Sequence, residues 1–187
     1  MRIWRQFKYV AIAPVIDLTI RPAPNLFPAD QPPECINYSG AGNYKSFGDD
    51  IVRLLEEHAG LKSGLTLVEV GCGIGRVAMA LAHHYGDQIH YVGFDIVRYG
   101  ITWCREKISK SHPRYQFHYA DIQNDMYNPM GRFAASSFVF PAPNAVCDSV
   151  FILRYSRTCW PMRSPLSSGN NTYLKAGRDL LVQLFFA

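Results

Sequence analysis

The sequence lacks the residue clusters that mark nucleic-acid-binding and metal-binding proteins. Its 19 Lys and Arg residues give a formal net charge of only +4, and they are scattered rather than gathered into one basic patch. The five cysteines are widely spaced without a CxxC pair, and His83 and His84 are adjacent rather than at metal-ligand spacing. We therefore expect no nucleic-acid partner and no bound metal, and we predict reduced, structural cysteines rather than a disulfide or zinc framework.

Long hydrophobic runs are also missing. The longest, residues 9–16, contains Pro14, is followed by Asp17, and is far too short to span a bilayer. The basic N-terminus is not followed by a small-residue cleavage site. We predict neither a signal peptide nor a membrane anchor, and a cytoplasmic location.

Proline is concentrated in one place, residues 21–35, which hold five prolines in fifteen positions. Each proline removes a backbone donor and biases the residue before it away from helix. We therefore predict an extended N-terminal arm over residues 1–36. The total length of 187 residues is that of one domain, which we place at residues 37–187.

From residue 47 onward, helical and strand patterns alternate. Apolar residues at helical spacing predict a first helix over 47–58 that ends at Gly60. Further along, the patterns predict strands at 65–70, 90–94, 115–120 and 149–153, and helices at 76–84 and 99–109. This alternation predicts an α/β fold with a Rossmann-like, doubly wound and mostly parallel sheet.

A glycine-rich turn, "VEVGCGIGR", joins the first predicted strand to its helix. Glycines let the backbone approach a ligand closely, and the free amides at a helix N-terminus face electron-rich groups. Dinucleotide-binding loops read GxGxxG, whereas here the spacing is GxGxG, with Arg76 where the last glycine would stand and Glu69 two residues before the first glycine. The alternative to ligand binding is that the glycines only allow the helix to pack on the strand.

Acidic residues end the next two predicted strands. Asp95 lies twenty residues after Gly75, where an acid can accept both hydroxyls of a ribose. Proteins that bind NAD also have an acid at this position. Asp95 therefore indicates a ribose-containing ligand but does not identify that ligand. Asp121 ends the third strand, in "HYADI". Either residue could instead be a plain capping aspartate.

The glycine turn with its preceding acid resembles motif I of the class I S-adenosylmethionine (SAM)-dependent methyltransferases. "FPAPNAVCDSVF" resembles the run that leads into the family's fourth strand, and "YLKAGRDLLVQLFF" resembles its turn and fifth strand. The similarity runs from about residue 38 to 153 and resumes near the end. "YVGFDIVRYGITWCREKI" is similar to a bacterial small-molecule subgroup, which implies a small-molecule methyl acceptor.

The resemblance implies SAM as the cofactor and assigns roles to individual residues. The methionine portion of SAM carries an ammonium and a carboxylate, which suit the nearby acid Glu69 together with backbone amides of the turn. Asp121 takes the position that meets the adenine amino group, and the loop "YSGAGNY" resembles a segment that closes over SAM in some members. The residues implied to bind the cofactor are Tyr38, Gly40, Glu69, Gly71, Cys72, Gly73, Gly75, Asp95, Ile96, Asp121 and Ile122.

The family pattern fails in residues 154–173, which hold two prolines, four serines and no helical apolar period where the family has a substrate loop and a helix. We consider two interpretations: an out-of-frame reading of a helical segment, or an unusual substrate loop. The chain ends directly after the expected fifth strand, so we expect a truncated sheet lacking the last two strands. Residues 180–186 would then be a bare apolar edge through which a homodimer could form.

No residue is predicted as a general base. His118 lies inside the third strand, Cys72 is a small filler within the loop, and Arg154 and Tyr155 follow the fourth strand in the atypical segment. Three functions remain open from the sequence: an active SAM-dependent methyltransferase, a SAM-binding remnant without turnover, and an NAD-dependent oxidoreductase.

Overall fold

The structure, a computed structural model, describes residues 30–32, 37–38, 42–138, 148–155, 171–175 and 180–186. Apart from residues 30–32, the predicted arm over 1–36 lies outside this description, as do residues 156–170 of the atypical segment. In the described part of the chain, no helix combines the length and the apolar character needed to cross a membrane.

The first helix, α1 (Tyr44–Ala59), has clear signals at both ends. The Asn43 side chain accepts hydrogen bonds from the backbone N–H groups of Lys45 and Ser46, both at 3.0 Å. At the other end Gly60 adopts a left-handed conformation, with φ 64°, and its N–H donates to the Leu55 carbonyl. The predicted stop at Gly60 is confirmed.

The remaining elements follow the predicted order, with ends that differ by one or two residues in most cases, except that the strand Asn171–Lys175 was not predicted. They are β1 (Thr66–Val70), α2 (Arg76–Tyr85), β2 (His90–Asp95), α3 (Arg98–Cys104), β3 (Tyr115–Tyr119), β4 (Ser149–Tyr155), β5 (Asn171–Lys175) and β6 (Leu180–Phe186). A 3₁₀ turn, Gly86–Gln88, follows α2, and α3 continues as a π-helical turn, Arg105–Ser109.

The strands form one six-stranded sheet in the order β3-β2-β1-β4-β6-β5. Strands β1 to β4 pair in parallel, with Glu69 opposite Gly93 on β2 and opposite Phe151 on β4. The predicted α/β class with a parallel sheet is confirmed. Because the chain passes from β3 across to β4, on the far side of β1, the strand order reverses between β1 and β4, and this is where ligands bind in such folds.

Strand β6 is not the bare edge strand that the sequence predicts. It runs antiparallel to β4, with Ser149 opposite Phe186, and antiparallel to β5 on its other side. The prediction of a bare edge at 180–186 is therefore wrong, and with it the premise of a homodimer through that strand. Arg154 and Tyr155 also lie within β4 rather than after it.

The opposite edge of the sheet, β3, is covered by side chains of the π-helical turn. Arg105 donates from Nε to the Phe117 carbonyl at 2.8 Å, and Ser109 donates from Oγ to the Tyr115 carbonyl at 2.6 Å. These two carbonyls belong to alternate residues of an edge strand, so they point away from β2. Side chains that occupy them disfavour pairing with another chain.

Candidate functional site

The carboxyl ends of β1, β2 and β3 bring together the glycine turn, Asp95 and Asp121. The three strands are neighbours in the sheet and run in the same direction, so their ends meet along one edge. The residues that were assigned to the site from separate parts of the sequence therefore share one region of the fold.

The three glycines of the turn have left-handed backbone conformations, with φ of 84° at Gly71, 59° at Gly73 and 78° at Gly75. The N–H groups of Gly71 and Cys72 both donate to the Phe94 carbonyl, at 2.8 and 2.9 Å, which fixes the turn to the end of β2. Gly71 is exposed, and a Cβ added there would meet no atom within 4 Å. Its backbone is therefore open to the close approach of a ligand.

Gly75 has a packing role instead. A Cβ on it would lie 2.8 Å from Cys104 Sγ and 2.9 Å from Ile108 Cδ1. Glycine at this position lets α3 and its π-helical turn pack directly against the start of α2. Gly75 thus serves the packing of the following helix against α2 rather than that of a helix on a strand.

Asp95 is the best-anchored polar residue of the site. Its carboxylate is only 9% exposed and accepts hydrogen bonds from Gly73 N at 2.8 Å, from Val97 N at 2.8 Å and from the Tyr38 hydroxyl at 3.2 Å. Burial raises the pKa of this carboxyl, and these hydrogen bonds oppose the rise. The glycine turn and the end of β2 are thereby joined through one side chain.

Asp121 lies nearer the surface and has three side-chain partners. Its carboxylate accepts from Arg132 Nε at 2.6 Å, from the Tyr119 hydroxyl at 2.9 Å and from Asn128 Nδ2 at 3.3 Å. Desolvation acts to raise the pKa of this carboxyl, but the hydrogen bonds outweigh it and the pKa is lowered. Asp121 is therefore an ionised acceptor, and Arg132, whose side chain is 76% exposed, is a partner that can be displaced at little cost.

Glu69, the acid before the first glycine, is buried beneath the turn. It is 1% exposed and accepts a hydrogen bond from the Tyr91 hydroxyl. Burial raises the pKa of Glu69 to about 8, the Tyr91 hydrogen bond opposes this, and the nearby Asp95 adds to it. At neutral pH Glu69 is mostly uncharged, which is not the state expected of a counter-charge for an ammonium group.

The other predicted site residues divide between surface and core. Ile96 is partly exposed beside Asp95, whereas Ile122 and Cys72 are buried, at 2% and 5% exposure. Gly40 lies outside the described residues. His118 is in β3 as predicted, stacked on the Phe94 ring at 5.3 Å, and burial lowers its pKa. The described residues contain no group of three or more His, Cys, Asp or Glu that could hold a metal ion.

A family comparison agrees with this geometry. Residues 67–147 match the family described as a methyltransferase domain. The match begins in β1 and covers the glycine turn, Asp95 and Asp121. This match supports the resemblance to the class I SAM-dependent methyltransferases. The resemblance seen in "VEVGCGIGR" is confirmed.

Several solved methyltransferases resemble this chain weakly. A SAM-dependent methyltransferase from Aquifex aeolicus is 13% identical with a TM-score of 0.44, over 72% of this chain and 87% of that one. Magnesium protoporphyrin IX methyltransferase from Synechocystis PCC 6803, solved with bound SAM, is 12% identical with a TM-score of 0.46, over 99% and 96%. A Geobacter sulfurreducens SAM-dependent methyltransferase, in complex with S-adenosyl-L-homocysteine, is 15% identical with a TM-score of 0.38, over 68% and 57%. With TM-scores below 0.5, these likenesses add no argument to the family match.

Arg76 shows why this turn does not need the last glycine of GxGxxG. In dinucleotide-binding loops that glycine permits close packing of the helix. Here Arg76 begins α2, is 3% exposed, and places its guanidinium 4.9 Å from the centre of the Phe47 ring on α1. Close packing of α1 on α2 is provided by Gly48, whose Cβ would overlap the Arg76 carbonyl.

Sequence reasoning missed several residues that shape the candidate site. Tyr91 hydrogen-bonds Glu69, and Gly100 makes room for the Tyr38 hydroxyl. Of these residues, only Gly100 could have been recognised in the sequence, because an isolated glycine within a helical pattern often marks a close contact. The partners of Asp121 were also missed: Tyr119, Asn128 and Arg132.

Proposed function

We propose that this chain binds SAM at the carboxyl ends of β1, β2 and β3 and transfers its methyl group to a small-molecule acceptor. The observation that carries the proposal is the open, left-handed turn at Gly71, which lies beside Asp95, a carboxylate held in place by the same turn. We take the domain to span residues 37–187. The free buried thiols of Cys72 and Cys104 suit the cytoplasm, where we place the protein.

The chemistry of the site residues fits the cofactor. SAM has two ribose hydroxyls and an adenine amino group, all hydrogen-bond donors, and the site offers the carboxylates of Asp95 and Asp121 as acceptors. Ile96, partly exposed and next to Asp95 in the chain, would provide an apolar surface for the adenine ring. The ligand has no phosphate, which agrees with a turn whose Gly73 N–H is already used by Asp95.

The residues of the turn and of β1 divide into two roles in this proposal. Gly71 would contact the methionine portion through its backbone. Glu69, Cys72, Gly73 and Gly75 would act mainly by holding the turn in shape, because they are buried or already hydrogen-bonded within the protein. Tyr38 and Gly40 belong to the segment expected to cover the cofactor.

Catalysis by such a site needs little from acid–base groups. When bound, SAM supplies a methyl group on a positively charged sulfur, which is an excellent leaving group. The contribution of the protein is then to position the two reactants and to exclude water from them. Of the described residues we assign none as a general base; His118 is stacked on Phe94 within β3 rather than placed beyond a strand end.

Replacing Asp95 with asparagine tests the proposed cofactor site. We expect the Kd for S-adenosyl-L-homocysteine to rise by about 10- to 100-fold, because hydrogen bonds to a charged acceptor contribute ~1.5–3 kcal/mol. Isothermal titration calorimetry with SAM, S-adenosyl-L-homocysteine and NAD measures this directly, and thermal melting shows whether the variant is folded.

The matched control is Asp87→Asn, an exposed carboxylate near His112 at the other end of β2. It should leave binding unchanged. If the wild-type protein bound NAD as tightly as SAM, the proposed function would be lost. Binding of SAM without product formation across a panel of hydroxyl, amine and thiol acceptors would instead indicate a SAM-binding protein without turnover.

A further inference from the structure

The Asp95 carboxylate does not have room for both hydroxyls of a ribose in this structure. A carboxylate offers about four acceptor positions. The backbone N–H groups of Gly73 and Val97 and the Tyr38 hydroxyl donate to Asp95 and occupy three of these positions. A ribose that donates both of its hydroxyls to Asp95 therefore needs at least one of these donors to leave.

Tyr38 is the donor that can leave. The two backbone donors, Gly73 and Val97, are part of the glycine turn and of the segment after β2, so moving them would dismantle the turn. Tyr38 reaches Asp95 from 57 residues earlier in the chain, and its hydrogen bond is the longest of those measured, at 3.2 Å against 2.8 Å for Gly73 and for Val97. Its loss would cost the least.

The Tyr38 side chain is nevertheless held in a defined position by its neighbours. Its ring packs edge-on against Tyr99, with ring centres 5.3 Å apart, and lies 6.2 Å from the ring of Tyr127. Gly100, on α3, leaves the space that the hydroxyl occupies, since a Cβ there would overlap it. The hydroxyl is therefore placed on Asp95 by packing from α3 and from the loop after β3.

We propose that the Tyr38 hydroxyl occupies, on Asp95, the position of one ribose hydroxyl of the cofactor, so that the ligand must displace it on binding. Tyr38 is then a residue that sets cofactor affinity by competition. The inference rests on the proposed function, because it takes the ligand of Asp95 to be the ribose of SAM. It also predicts that removing the Tyr38 hydroxyl strengthens binding, which is the opposite of what a hydroxyl in contact with the ligand would do.

The test is Tyr38→Phe, which keeps the packed ring and removes only the donor. We expect the Kd for S-adenosyl-L-homocysteine to fall by about tenfold, the effect of a hydrogen bond to a charged acceptor that is lost only in the free protein. The melting temperature of the free variant should fall below that of the wild type. At saturating S-adenosyl-L-homocysteine the two proteins should be equally stable.

Tyr127→Phe is the matched control, since it removes a hydroxyl from the same group of rings without removing a donor to Asp95, and it should not tighten binding. Unchanged or weaker binding by Tyr38→Phe, with wild-type binding intact, would overturn the inference and leave the proposed function standing. If the wild-type protein bound no S-adenosyl-L-homocysteine, the proposed function would fall and this inference with it.

Discussion

Replacing Gly75 with alanine is expected to lower the free energy of unfolding by about 2–5 kcal/mol, the sum of a left-handed backbone cost and an overpacking cost. Gly75 has φ 78°, a conformation that disfavours any Cβ. The added methyl would also lie 2.8 Å from Cys104 Sγ and 2.9 Å from Ile108 Cδ1. Urea unfolding followed by circular dichroism measures the change.

The control that separates the two costs is Gly60→Ala. Gly60 ends α1 with φ 64°, and a Cβ there would meet nothing within 4 Å. It should therefore show the backbone cost alone, ~1–2 kcal/mol. If Gly75→Ala cost no more than Gly60→Ala, then α3 would not pack against the turn as the structure shows.

A further variant relates this packing to the ligand. Gly71 shares the left-handed conformation of Gly75 but faces open space. Alanine at Gly71 should cost about as much stability as alanine at Gly60, yet it alone should obstruct a ligand that approaches the backbone. The contrast between Gly71 and Gly75 distinguishes glycine needed for binding from glycine needed for folding.

The order of elements and the place of the site were predictable because both depend on local patterns. The apolar run before Gly71 predicts a buried strand. Asp95 and Asp121 stand at the predicted ends of the next two strands. Once the strands are parallel, these acids must meet at one edge. The family resemblance depends on the same short stretch, through the spacing of the glycines that follow Glu69.

The direction of β6 was not predictable in this way. An apolar run indicates a strand, but its neighbours depend on pairing with distant residues, here Ser149 with Phe186 and Asn171 with Phe185. The contact between Tyr38 and Asp95 has the same origin, since nothing local in either segment specifies the other. Such contacts arise from the packing of the whole domain.

The environment of Glu69 also depends on the assembled sheet. Leu67 is opposite Tyr91 and Glu69 is opposite Gly93, so Glu69 and Tyr91 lie on one face of neighbouring strands. Gly93 has no side chain between them, and a Cβ there would lie 2.9 Å from Cys72 Sγ. The acid that resembles a ligand contact in the sequence is, in the structure, hydrogen-bonded to Tyr91 inside the protein.

The buried Glu69 should make the protein less stable as pH rises. Burial raises the pKa of Glu69 from 4.5 to about 8, so the folded protein keeps this proton in a range where the unfolded chain has released it. The stability that this proton provides is fully present below pH 4.5 and is lost as pH rises to about 8. Within that window the free energy of unfolding should fall by up to ~1.4 kcal/mol per pH unit from this residue.

Glu69→Gln is expected to remove that pH dependence, because the amide stays neutral and its carbonyl can still accept from Tyr91. The variant should resemble the wild type near pH 5 and be more stable by several kcal/mol near pH 8, at ~1.4 kcal/mol per pH unit. Urea unfolding between pH 4.5 and 8.5 provides the comparison.

The control is Glu56→Gln, since Glu56 also accepts from a tyrosine hydroxyl, that of Tyr85 at 2.7 Å, but is exposed. Parallel pH profiles for Glu69→Gln and the wild type would mean that Glu69 is ionised in the folded protein. It would then be available as a counter-charge for a bound ammonium group, as the motif first suggested.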